Sequence, residues 1–407
     1  MSYRKWASVC AESNPNQKVG IRESSMNSLE FGKIRVLRIV TRMNVGGPAL
    51  QIFGISTHLN TNQFNQLLVT GYCDENEIDF FDLHETSIAV LRIPAFGRSV
   101  GFLSDLRAFI AIWKIIRRFK PHIIHTHTAK AGVLGRAASM ITFSRHKRVH
   151  TFHGHLLHGY FSSFVTKMVI LVERFFAKHT DILISVGRRV RDDLLKVRIG
   201  EESKFRIVPP GLELQPSITR NEARMKLGLR EDAVYFAWIG RLVAIKDPLR
   251  LISIAEICKK SDLPIRFCVA GDGPFFKELS KAALEDGLPI DFLGWQPDIE
   301  NVLVASDVVI LTSINEGTPL SLIQAQMAGK PVIATNVGSV SEVVQNQVSG
   351  YVGQFTDEEF AMLIEKLCKE NSLRDEMGQK GHEFALRNFS VERLTNDHEE
   401  IYRELVT

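Results

Sequence analysis

Short runs of consecutive apolar residues recur along most of the chain, and a turn rich in glycine or proline follows many of them. Residues 234–239 and 308–311 are two such runs, and residues 34–40 are a similar segment interrupted by two arginines. Without polar alternation, a run of this kind is typical of a strand buried on both faces of a parallel sheet. Because segments with the apolar spacing of helices lie between the runs, the pattern predicts an α/β fold of alternating strands and helices.

The same pattern gives approximate bounds for the other elements. Further strands are predicted at residues 66–70, 88–91, 122–127, 182–186, 266–270, 290–295, 332–334 and 350–352. Helices are predicted at residues 48–59, 103–119, 161–179, 190–197, 319–329, 357–370, 372–387 and 391–405. Bounds obtained in this way are uncertain by a few residues.

The length of 407 residues exceeds the usual size of one domain, so two domains are expected. Residues 205–211 end in two prolines and a glycine, a composition typical of a linker, which makes 182–186 the predicted last strand of the first domain. We therefore expect a first domain at 33–208, a second at 209–388 and a C-terminal helical segment at 389–407.

Residues 307–344 combine the strongest strand and helix signals with polar turn residues. A buried strand leads into a polar turn that contains Glu316, Gly317 and Thr318, and Pro319 suits the first position of the following helix. In a parallel sheet, ligands bind beyond the carboxyl ends of the strands. The N–H groups that begin this helix would face an anion there. A carboxylate at position 316 would repel that anion unless it has another task, such as hydrogen bonding to sugar hydroxyls.

A second polar turn follows the predicted strand 234–239 and contains Gly240, Arg241 and Lys246. An arginine can bind two phosphate oxygens with its planar guanidinium, and a lysine supplies a compact charge, so the pair would suit a diphosphate. Taken alone, two cations in a loop are more often surface residues without a ligand.

Two further groups of residues lie in the first half. Gly46 and Gly47 precede the helix 48–59, where glycines allow a ligand to approach the backbone or simply permit tight packing of helix on strand. Four histidines cluster around the strand end at 150–158, but their spacing matches no zinc pattern and no cysteine or carboxylate completes a site. No metal is therefore expected, and His150 and His158 need no function.

Charge is divided unevenly between the two halves. Residues 1–210 carry 30 Lys and Arg against 16 Asp and Glu, whereas residues 211–407 carry 20 against 30. The basic half suits an anionic partner such as a lipid-phosphate surface or a diphosphate acceptor, and an ordinary solvated basic face explains it equally well. The amphipathic helices predicted at 103–119 and 161–179 fit either a membrane surface or packing within the protein. Nucleic acid is disfavoured because no recognition motif accompanies the charge.

The remaining composition bears on location. Residues 1–32 are polar and aperiodic, which predicts a flexible extension, and they lack the apolar core of a secretory signal. No apolar run reaches the roughly 20 residues of a membrane-spanning helix, so no integral membrane protein is expected. The five scattered cysteines favour the reducing cytosol, with the inner face of a membrane as a more specific option.

Residues 316–335 resemble the donor-binding signature of the retaining glycosyltransferases of the GT-B fold, family 4 in particular. The family pattern has two glutamates eight positions apart around a Gly-x-Pro-Leu-like turn. Glu316 matches the first glutamate, Gly317 to Leu320 match the turn, and Gln324 departs from the second glutamate. The resemblance extends over nearly all of residues 34–405. It implies two facing Rossmann-like domains with a cleft between them, and a last helix that crosses back to the first domain.

The resemblance also implies an activity, which is transfer of a sugar from a nucleotide diphosphate sugar with retention of configuration and without metal or other cofactor. A UDP-sugar is favoured as donor, and a glycan or lipid-linked glycan as acceptor. Two alternatives stay open, a nonhydrolysing nucleotide-sugar epimerase and a non-catalytic nucleotide-sugar-binding partner. The epimerase would need carboxylate acid and base residues, and the departure at Gln324 is what makes the non-catalytic protein conceivable.

The resemblance assigns roles to individual residues. It makes Arg241 and Lys246, with Gly240, the diphosphate-binding group, and it brings the loop of Gly46 and Gly47 over the diphosphate. It also implies that Glu316 and His153 hold hydroxyls of the donor sugar. The last set contacts the donor around the helix start and comprises Gly317, Thr318, Pro319, Leu320 and Gln324, of which Gln324 meets the ribose hydroxyls more weakly than a glutamate would.

Overall fold

The computed structural model describes residues 32–75, 77–97, 99–142, 145–154, 163–214 and 217–407. The predicted extension at 1–32 lies outside the described residues except for Gly32, and so do His155, His158 and the first two residues of the helix predicted at 161–179.

The chain forms two compact units. The first unit holds the chain up to Val186 together with Arg191–Val208 and Leu394–Thr407. The second unit holds Gly187–Val190 and Pro209–Arg393.

The sheet of the first unit has seven parallel strands in the order β3-β2-β1-β4-β5-β6-β7. These strands are β1 (Ile34–Ile39), β2 (Phe64–Thr70), β3 (Val90–Arg92), β4 (Ile123–His127), β5 (Lys147–Phe152), β6 (Ile182–Ser185) and β7 (Phe205–Ile207). The helices between them are α1 (Gly47–His58), α2 (Phe80–Leu83), α3 (Phe102–Phe119), α4 (Ala129–Met140), α5 (Ser163–Lys178) and α6 (Arg188–Lys196). A 3-10 turn at Glu202–Lys204 leads into β7.

The sheet of the second unit has six parallel strands in the order β10-β9-β8-β11-β12-β13. These are β8 (Val234–Ile239), β9 (Ile265–Ala270), β10 (Ile290–Gly294), β11 (Val308–Leu311), β12 (Val332–Thr335) and β13 (Gly350–Gly353). Its helices are α7 (Arg220–Leu227), α8 (Pro248–Cys258), α9 (Phe276–Glu285), α10 (Ile299–Ala305), α11 (Leu320–Met327), α12 (Val340–Val343), α13 (Asp357–Lys369) and α14 (Asn371–Phe389), with a 3-10 turn at Ala244–Lys246. The last helix, α15 (Val391–Val406), has most of its length in the first unit.

Both sheets are covered by helices on their two faces, which is why their strands are apolar without alternation. In β1, Val36 packs with residues of α1 and α15, whereas Leu37 packs with residues of α3. In β8, Phe236 and Trp238 lie in the core that includes residues of α8 and α13. The prediction of an α/β fold with two Rossmann-like domains is therefore confirmed.

Two local predictions were wrong, and some helices were not predicted. Residues 205–207 of the predicted linker form β7, which pairs with β6, so 182–186 is not the last strand of its sheet. Pro319 has an extended ψ of 102° and lies just before α11, which begins at Leu320. Among the helices that were not predicted are α7, α10 and also α4, although α4 follows β4 directly.

The strand order places the loops that matter. In each sheet the order reverses next to the first strand, between β1 and β4 and between β8 and β11. Such switch points open a crevice at the carboxyl edge of a sheet. Most of the predicted site residues follow the ends of these strands, and His153 follows β5, the neighbour of β4.

Candidate functional site

An ion pair between Lys246 and Glu316 occupies the switch point of the second unit. Lys246 follows β8 and Glu316 follows β11, and the two strands are neighbours. Lys246 Nζ lies 2.5 Å from Glu316 Oε1, and Ser313 Oγ donates a hydrogen bond to the same oxygen at 2.6 Å. Glu316 is 8% exposed and Lys246 is 27% exposed. Among the described residues, no donor reaches Glu316 Oε2, so this oxygen is available to a ligand hydroxyl.

The two turns that carry this pair are held together by hydrogen bonds. The Ile314 N–H donates to the Ile245 carbonyl at 2.9 Å. Thr312 Oγ1 accepts from Trp238 Nε1 at 3.0 Å and donates to the Asp247 carbonyl at 2.9 Å. Because each turn is fixed to the other, the distance between Lys246 and Glu316 is set by backbone and buried side chains.

Gly338 lies directly behind the Glu316 backbone. It follows β12, has a φ of +55°, and a Cβ placed on it would lie 1.7 Å from the Glu316 carbonyl oxygen. The Ser339 N–H donates to the Gly317 carbonyl at 3.0 Å. Only a glycine therefore allows the segment after β12 to pack this closely against the turn from Glu316 to Gly317.

The start of α11 faces the same edge of the sheet. The first-turn N–H groups of a helix have no intrahelical acceptor, and no side chain caps α11. Its first turn carries no acidic residue, so the partial positive charge at its N-terminus stays uncompensated within that turn. Gly317, Thr318 and Leu320 are partly exposed around this N-terminus, and Gln324 lies one turn further along α11 and is also partly exposed.

Arg241 lies at the same edge but is not part of the ion pair. It follows β8 by two residues, is exposed, and forms no ion pair with any residue that the structure describes. The preceding Gly240 has only ordinary contacts, since a Cβ there would lie 3.7 Å from the nearest atom, on Trp238. Arg241 is therefore a cation available to an anionic ligand.

In the first unit, the glycine loop after β1 is held by the segment that precedes α2. The Val45 N–H donates to the Ile78 carbonyl at 3.0 Å, and the Phe80 N–H donates to the Met43 carbonyl at 2.7 Å. Gly46 precedes α1 in an extended conformation, and a Cβ on it would come no closer than 3.9 Å to another atom. Neither backbone strain nor packing requires glycine at position 46.

His153 follows β5 and contacts a second histidine, His127, at the end of β4. His127 Nδ1 and His153 Nε2 are 2.9 Å apart, so they share a hydrogen bond. Burial lowers the pKa of His153 to about 4. Burial, reinforced by His125 and His153, lowers the pKa of His127 well below its usual value. Both rings are therefore neutral near pH 7.

The neighbouring His125 has both ring nitrogens occupied. Its Nδ1 lies 2.6 Å from the Tyr402 hydroxyl and its Nε2 lies 2.7 Å from Thr151 Oγ1. The buried Arg38 donates to the Tyr402 hydroxyl at 3.3 Å, which leaves the tyrosine to donate to His125. His125 therefore fastens α15 to the sheet. His150 is similarly bonded to Thr126 Oγ1 at 2.8 Å, and it stays without a predicted function.

Sequence reasoning did not single out Gly338 or His127. The available signal for Gly338 was a glycine shortly after a buried strand, and for His127 it was a polar residue on an otherwise apolar strand. Two other kinds of site are absent from the part of the chain that the structure describes. No group of His, Cys, Asp or Glu there could hold a metal ion, and no helix there is long and apolar enough to cross a bilayer.

Comparison with protein families gives two matches, one for most of each unit. A model described as Glycosyltransferase Family 4 matches residues 45–215, and a model described as Glycosyl transferases group 1 matches residues 219–384.

Named relatives resemble the chain over most of its length. It is 28% identical over 339 residues to the UDP-Gal:alpha-D-GlcNAc-diphosphoundecaprenol alpha-1,3-galactosyltransferase of Escherichia coli, covering 80% of this chain and 86% of the relative. It is 26% identical to the capsular polysaccharide biosynthesis glycosyltransferase CapM of Staphylococcus aureus, covering 79% of this chain and 87% of CapM.

Solved structures share the fold. Sucrose-phosphate synthase of Thermosynechococcus elongatus superposes with a TM-score of 0.76 at 19% identity, over 91% of this chain and 99% of the synthase. Anabaena HepE, solved in complex with UDP, superposes with a TM-score of 0.73 at 20% identity, over 91% of this chain and all of HepE. At identities this low, the structural similarity establishes the architecture alone, and the substrates have to be argued from residues.

Proposed function

Because this chain belongs to the family 4-like glycosyltransferases of the GT-B fold, we propose that it transfers a sugar from a UDP-sugar to a lipid-linked glycan with retention of anomeric configuration. The observation that carries the proposal is the Glu316 carboxylate, held by Lys246 beside the uncapped start of α11. The Escherichia coli relative is named for a UDP-sugar donor and a diphosphoundecaprenol-linked acceptor, and HepE was solved with UDP, which supports this choice of substrates.

The charges of the second unit suit the leaving group of this reaction. As the glycosidic bond breaks, the nucleoside diphosphate gains negative charge, and preorganised cations and N–H groups that meet this charge lower the barrier. Lys246, Arg241 and the N-terminus of α11 supply them at one edge of the sheet. The glycine loop at Gly46 and Gly47 supplies further backbone N–H groups in the first unit.

The remaining polar groups suit the sugars of the donor. Glu316 uses Oε1 for Lys246 and Ser313 and keeps Oε2 for a hydroxyl of the transferred sugar. His153 holds a further hydroxyl. Gln324 lies one turn into α11, where its amide can accept one hydrogen bond from the ribose and donate another. A carboxylate would bind the ribose diol more strongly, so this contact is weaker than in relatives with a second glutamate.

A nucleotide-release assay tests the reaction. Purified protein is incubated with a panel of nucleotide sugars, with and without EDTA and a lipid-linked acceptor. We expect UDP release from one donor, insensitive to EDTA and abolished by Lys246→Ala. The matched control is Lys281→Ala, because Lys281 is exposed on α9 and, among the described residues, pairs only with Glu285 on the same helix.

The other outcomes of this assay decide against the proposal. Interconversion of the donor sugar without UDP release would identify an epimerase. Tight binding without turnover, even with acceptors present, would identify a nucleotide-sugar-binding partner, the alternative that Gln324 makes conceivable. Sensitivity to EDTA would refute metal independence.

Gln324→Glu tests the ribose contact separately. We expect the variant to bind UDP about fivefold more tightly, because a charged acceptor forms stronger hydrogen bonds than an amide. Unchanged UDP affinity in calorimetry would show that residue 324 does not meet the ribose.

We also propose that one face of α5 contacts an anionic membrane, where a lipid-linked acceptor would be met. Phe164, Met168, Leu171 and Phe175 repeat at helical spacing, and all four are exposed, Phe164 by 74% and Leu171 by 62%. An exposed apolar stripe of this kind on a helix fits the interface of a bilayer.

The charges of α5 fit this orientation. Lys167, Arg174 and Lys178 are exposed beside the stripe, whereas the single acidic residue of α5, Glu173, is buried in an ion pair with Arg136. The surface therefore combines apolar and basic groups without an exposed carboxylate on this helix, which complements anionic lipid headgroups.

Vesicle sedimentation tests the membrane contact. We expect binding to vesicles that contain anionic phospholipid, weaker binding to neutral vesicles, and loss of binding in the double variant Leu171→Ser with Phe175→Ser. Met362→Ser removes a comparably exposed apolar residue from α13 and serves as the control. Charge reversal of Arg117 and Arg118 on α3 tests whether that basic edge contributes. Equal binding by all variants would refute the contact.

A further inference from the structure

In the pair formed by His127 and His153, two of the four ring nitrogens are hydrogen-bonded and two are not. Their shared bond uses one nitrogen of each ring. The other two nitrogens, His127 Nε2 and His153 Nδ1, are buried and have no partner among the residues that the structure describes. This differs from His125, two residues earlier on β4, whose two ring nitrogens are both bonded.

The shared hydrogen bond restricts the tautomers that His127 and His153 can adopt. A neutral imidazole carries a single hydrogen, on either Nδ1 or Nε2. Burial lowers the pKa of both histidines, so both rings are neutral near pH 7. One ring must therefore donate to the other. Either His127 donates through Nδ1 and His153 carries its own hydrogen on Nδ1, or His153 donates through Nε2 and His127 carries its own hydrogen on Nε2.

The surroundings of the two rings favour the first arrangement. In the second arrangement the spare N–H belongs to His127, which is 0% exposed and has no acceptor within reach in the described structure. The first arrangement also leaves one buried N–H without an acceptor, so the exposure of the two rings decides between the arrangements. In the first arrangement the spare N–H is on His153 Nδ1, which is also buried and has no partner in the described structure. The His153 ring is nevertheless partly exposed at the strand end, whereas His127 is fully buried, so the His153 N–H is the one that lies on a ring a ligand can approach.

We propose that His127 is a positioning residue, which donates its Nδ1–H to His153 Nε2 and thereby fixes His153 as the tautomer that presents an Nδ1–H donor. The hydrogen bond between the rings sets the tautomer, because a ring nitrogen that accepts this bond carries no hydrogen, so the hydrogen of that ring must be on its other nitrogen. His153 then binds a ligand oxygen as a hydrogen-bond donor and has no free lone pair with which to act as a base. The identity of that oxygen, a hydroxyl of the donor sugar, rests on the function proposed above.

The tautomer can be measured without any reaction. Protein labelled with 15N in its histidines gives long-range 1H–15N spectra in which protonated and unprotonated ring nitrogens are separated, and His153→Gln identifies the signals of His153. We expect a protonated Nδ1 in wild type at pH 7.5. His127→Leu should switch His153 to the Nε2–H tautomer, whereas His127→Asn, whose amide can place an N–H near the Nδ1 position, should preserve the Nδ1–H tautomer.

Kinetics then connect the tautomer to the ligand. We expect His127→Leu to raise the KM for the donor about tenfold while kcat changes less, and His127→Asn to recover most of the loss. His58→Gln, which alters an exposed histidine at the end of α1, is the control. A wild-type His153 in the Nε2–H form, or the same tautomer in wild type and His127→Leu, would overturn the proposal. An unchanged KM in His127→Leu would also overturn it.

The two proposals fail in distinguishable ways. If no nucleotide sugar is turned over, the proposed reaction is refuted, but the spectra still decide whether His127 sets the tautomer. Should His127→Leu not fold, the wild-type spectrum and His127→Asn together remain decisive.

Discussion

Gly338→Ala is the sharpest test of how the Glu316 turn is positioned. The new Cβ would lie 1.7 Å from the Glu316 carbonyl oxygen and 2.6 Å from its carbonyl carbon, both of which are backbone atoms that cannot rotate away. Gly338 also has a φ of +55°, which an L-residue rarely adopts. The substitution therefore has to displace the backbone at Glu316.

The expected magnitude follows from the distances. Restoring ordinary van der Waals contact requires a backbone shift of about 1.5 Å. A misplacement of about 1 Å at a reacting site can reduce the rate about 100-fold. We therefore expect kcat/KM for the donor to fall about 100-fold, which corresponds to about 2.7 kcal/mol of lost transition-state stabilisation. The left-handed φ adds a loss of about 1 kcal/mol in the free energy of unfolding, and the clash adds about 1–3 kcal/mol.

Gly329→Ala is a matched control for the backbone conformation. Gly329 follows α11, has a φ of +68°, and no atom lies within 4 Å of the position of its Cβ. The variant should lose about 1 kcal/mol of stability through its φ alone and keep kcat/KM within about twofold. Urea unfolding and UDP release are measured for both variants. A Gly338→Ala protein that is destabilised but keeps kcat/KM within threefold would show that the position of Glu316 does not control donor use.

Three further predictions concern other parts of the structure. Burial lowers the pKa of His153 to about 4, below the ordinary value of 6.5, so the unfolded chain takes up the proton first as the pH falls. The stabilisation that comes from a neutral His153 is complete above pH 6.5 and is lost between pH 6.5 and 4. From pH 7.5 to 5, the decrease in the free energy of unfolding, measured with urea, should therefore be about 2 kcal/mol smaller in His153→Gln than in wild type. Glu173→Gln leaves a buried guanidinium without its carboxylate partner and should lower the free energy of unfolding by about 3–5 kcal/mol in urea titrations. Gly46→Ala should change the free energy of unfolding by less than about 0.5 kcal/mol and still reduce kcat/KM. Gly271→Ala is the contrasting case, because its Cβ would lie 1.8 Å from a backbone oxygen, and this variant should be clearly destabilised. Unchanged kcat/KM in Gly46→Ala would argue against a ligand near the glycine loop.

The sequence was sufficient for the architecture because a strand that is buried on both faces is marked by a run of consecutive apolar residues. Each long apolar run, such as the one that becomes β8, lies in a sheet covered by helices on both sides. The sequence was not sufficient where that mark is short or absent. β7 has three residues and precedes two prolines, so the linker signal dominated. The helix α4 is rich in alanine and glycine and shows little contrast between its faces.

The candidate site was only partly accessible to sequence reasoning. Glu316 and Lys246 were each chosen as ligand groups, but their contact was not foreseen, because it depends on β8 and β11 being neighbours although 70 positions separate the two residues. His127 and Gly338 were missed for a related reason. Each acts on a residue distant in sequence, and neither has a local pattern that distinguishes it from an ordinary strand or turn residue.

The contact between Lys246 and Glu316 resolves a conflict in the sequence. A carboxylate beside the start of α11 should repel the diphosphate that this start is suited to bind. In the structure, Lys246 and Ser313 both occupy Oε1, so the negative charge of Glu316 is compensated before any ligand arrives. Arg241 and the uncapped N-terminus of α11 then leave this edge of the sheet with a net positive character. The carboxylate can therefore serve sugar hydroxyls through Oε2 at a site that still attracts an anion.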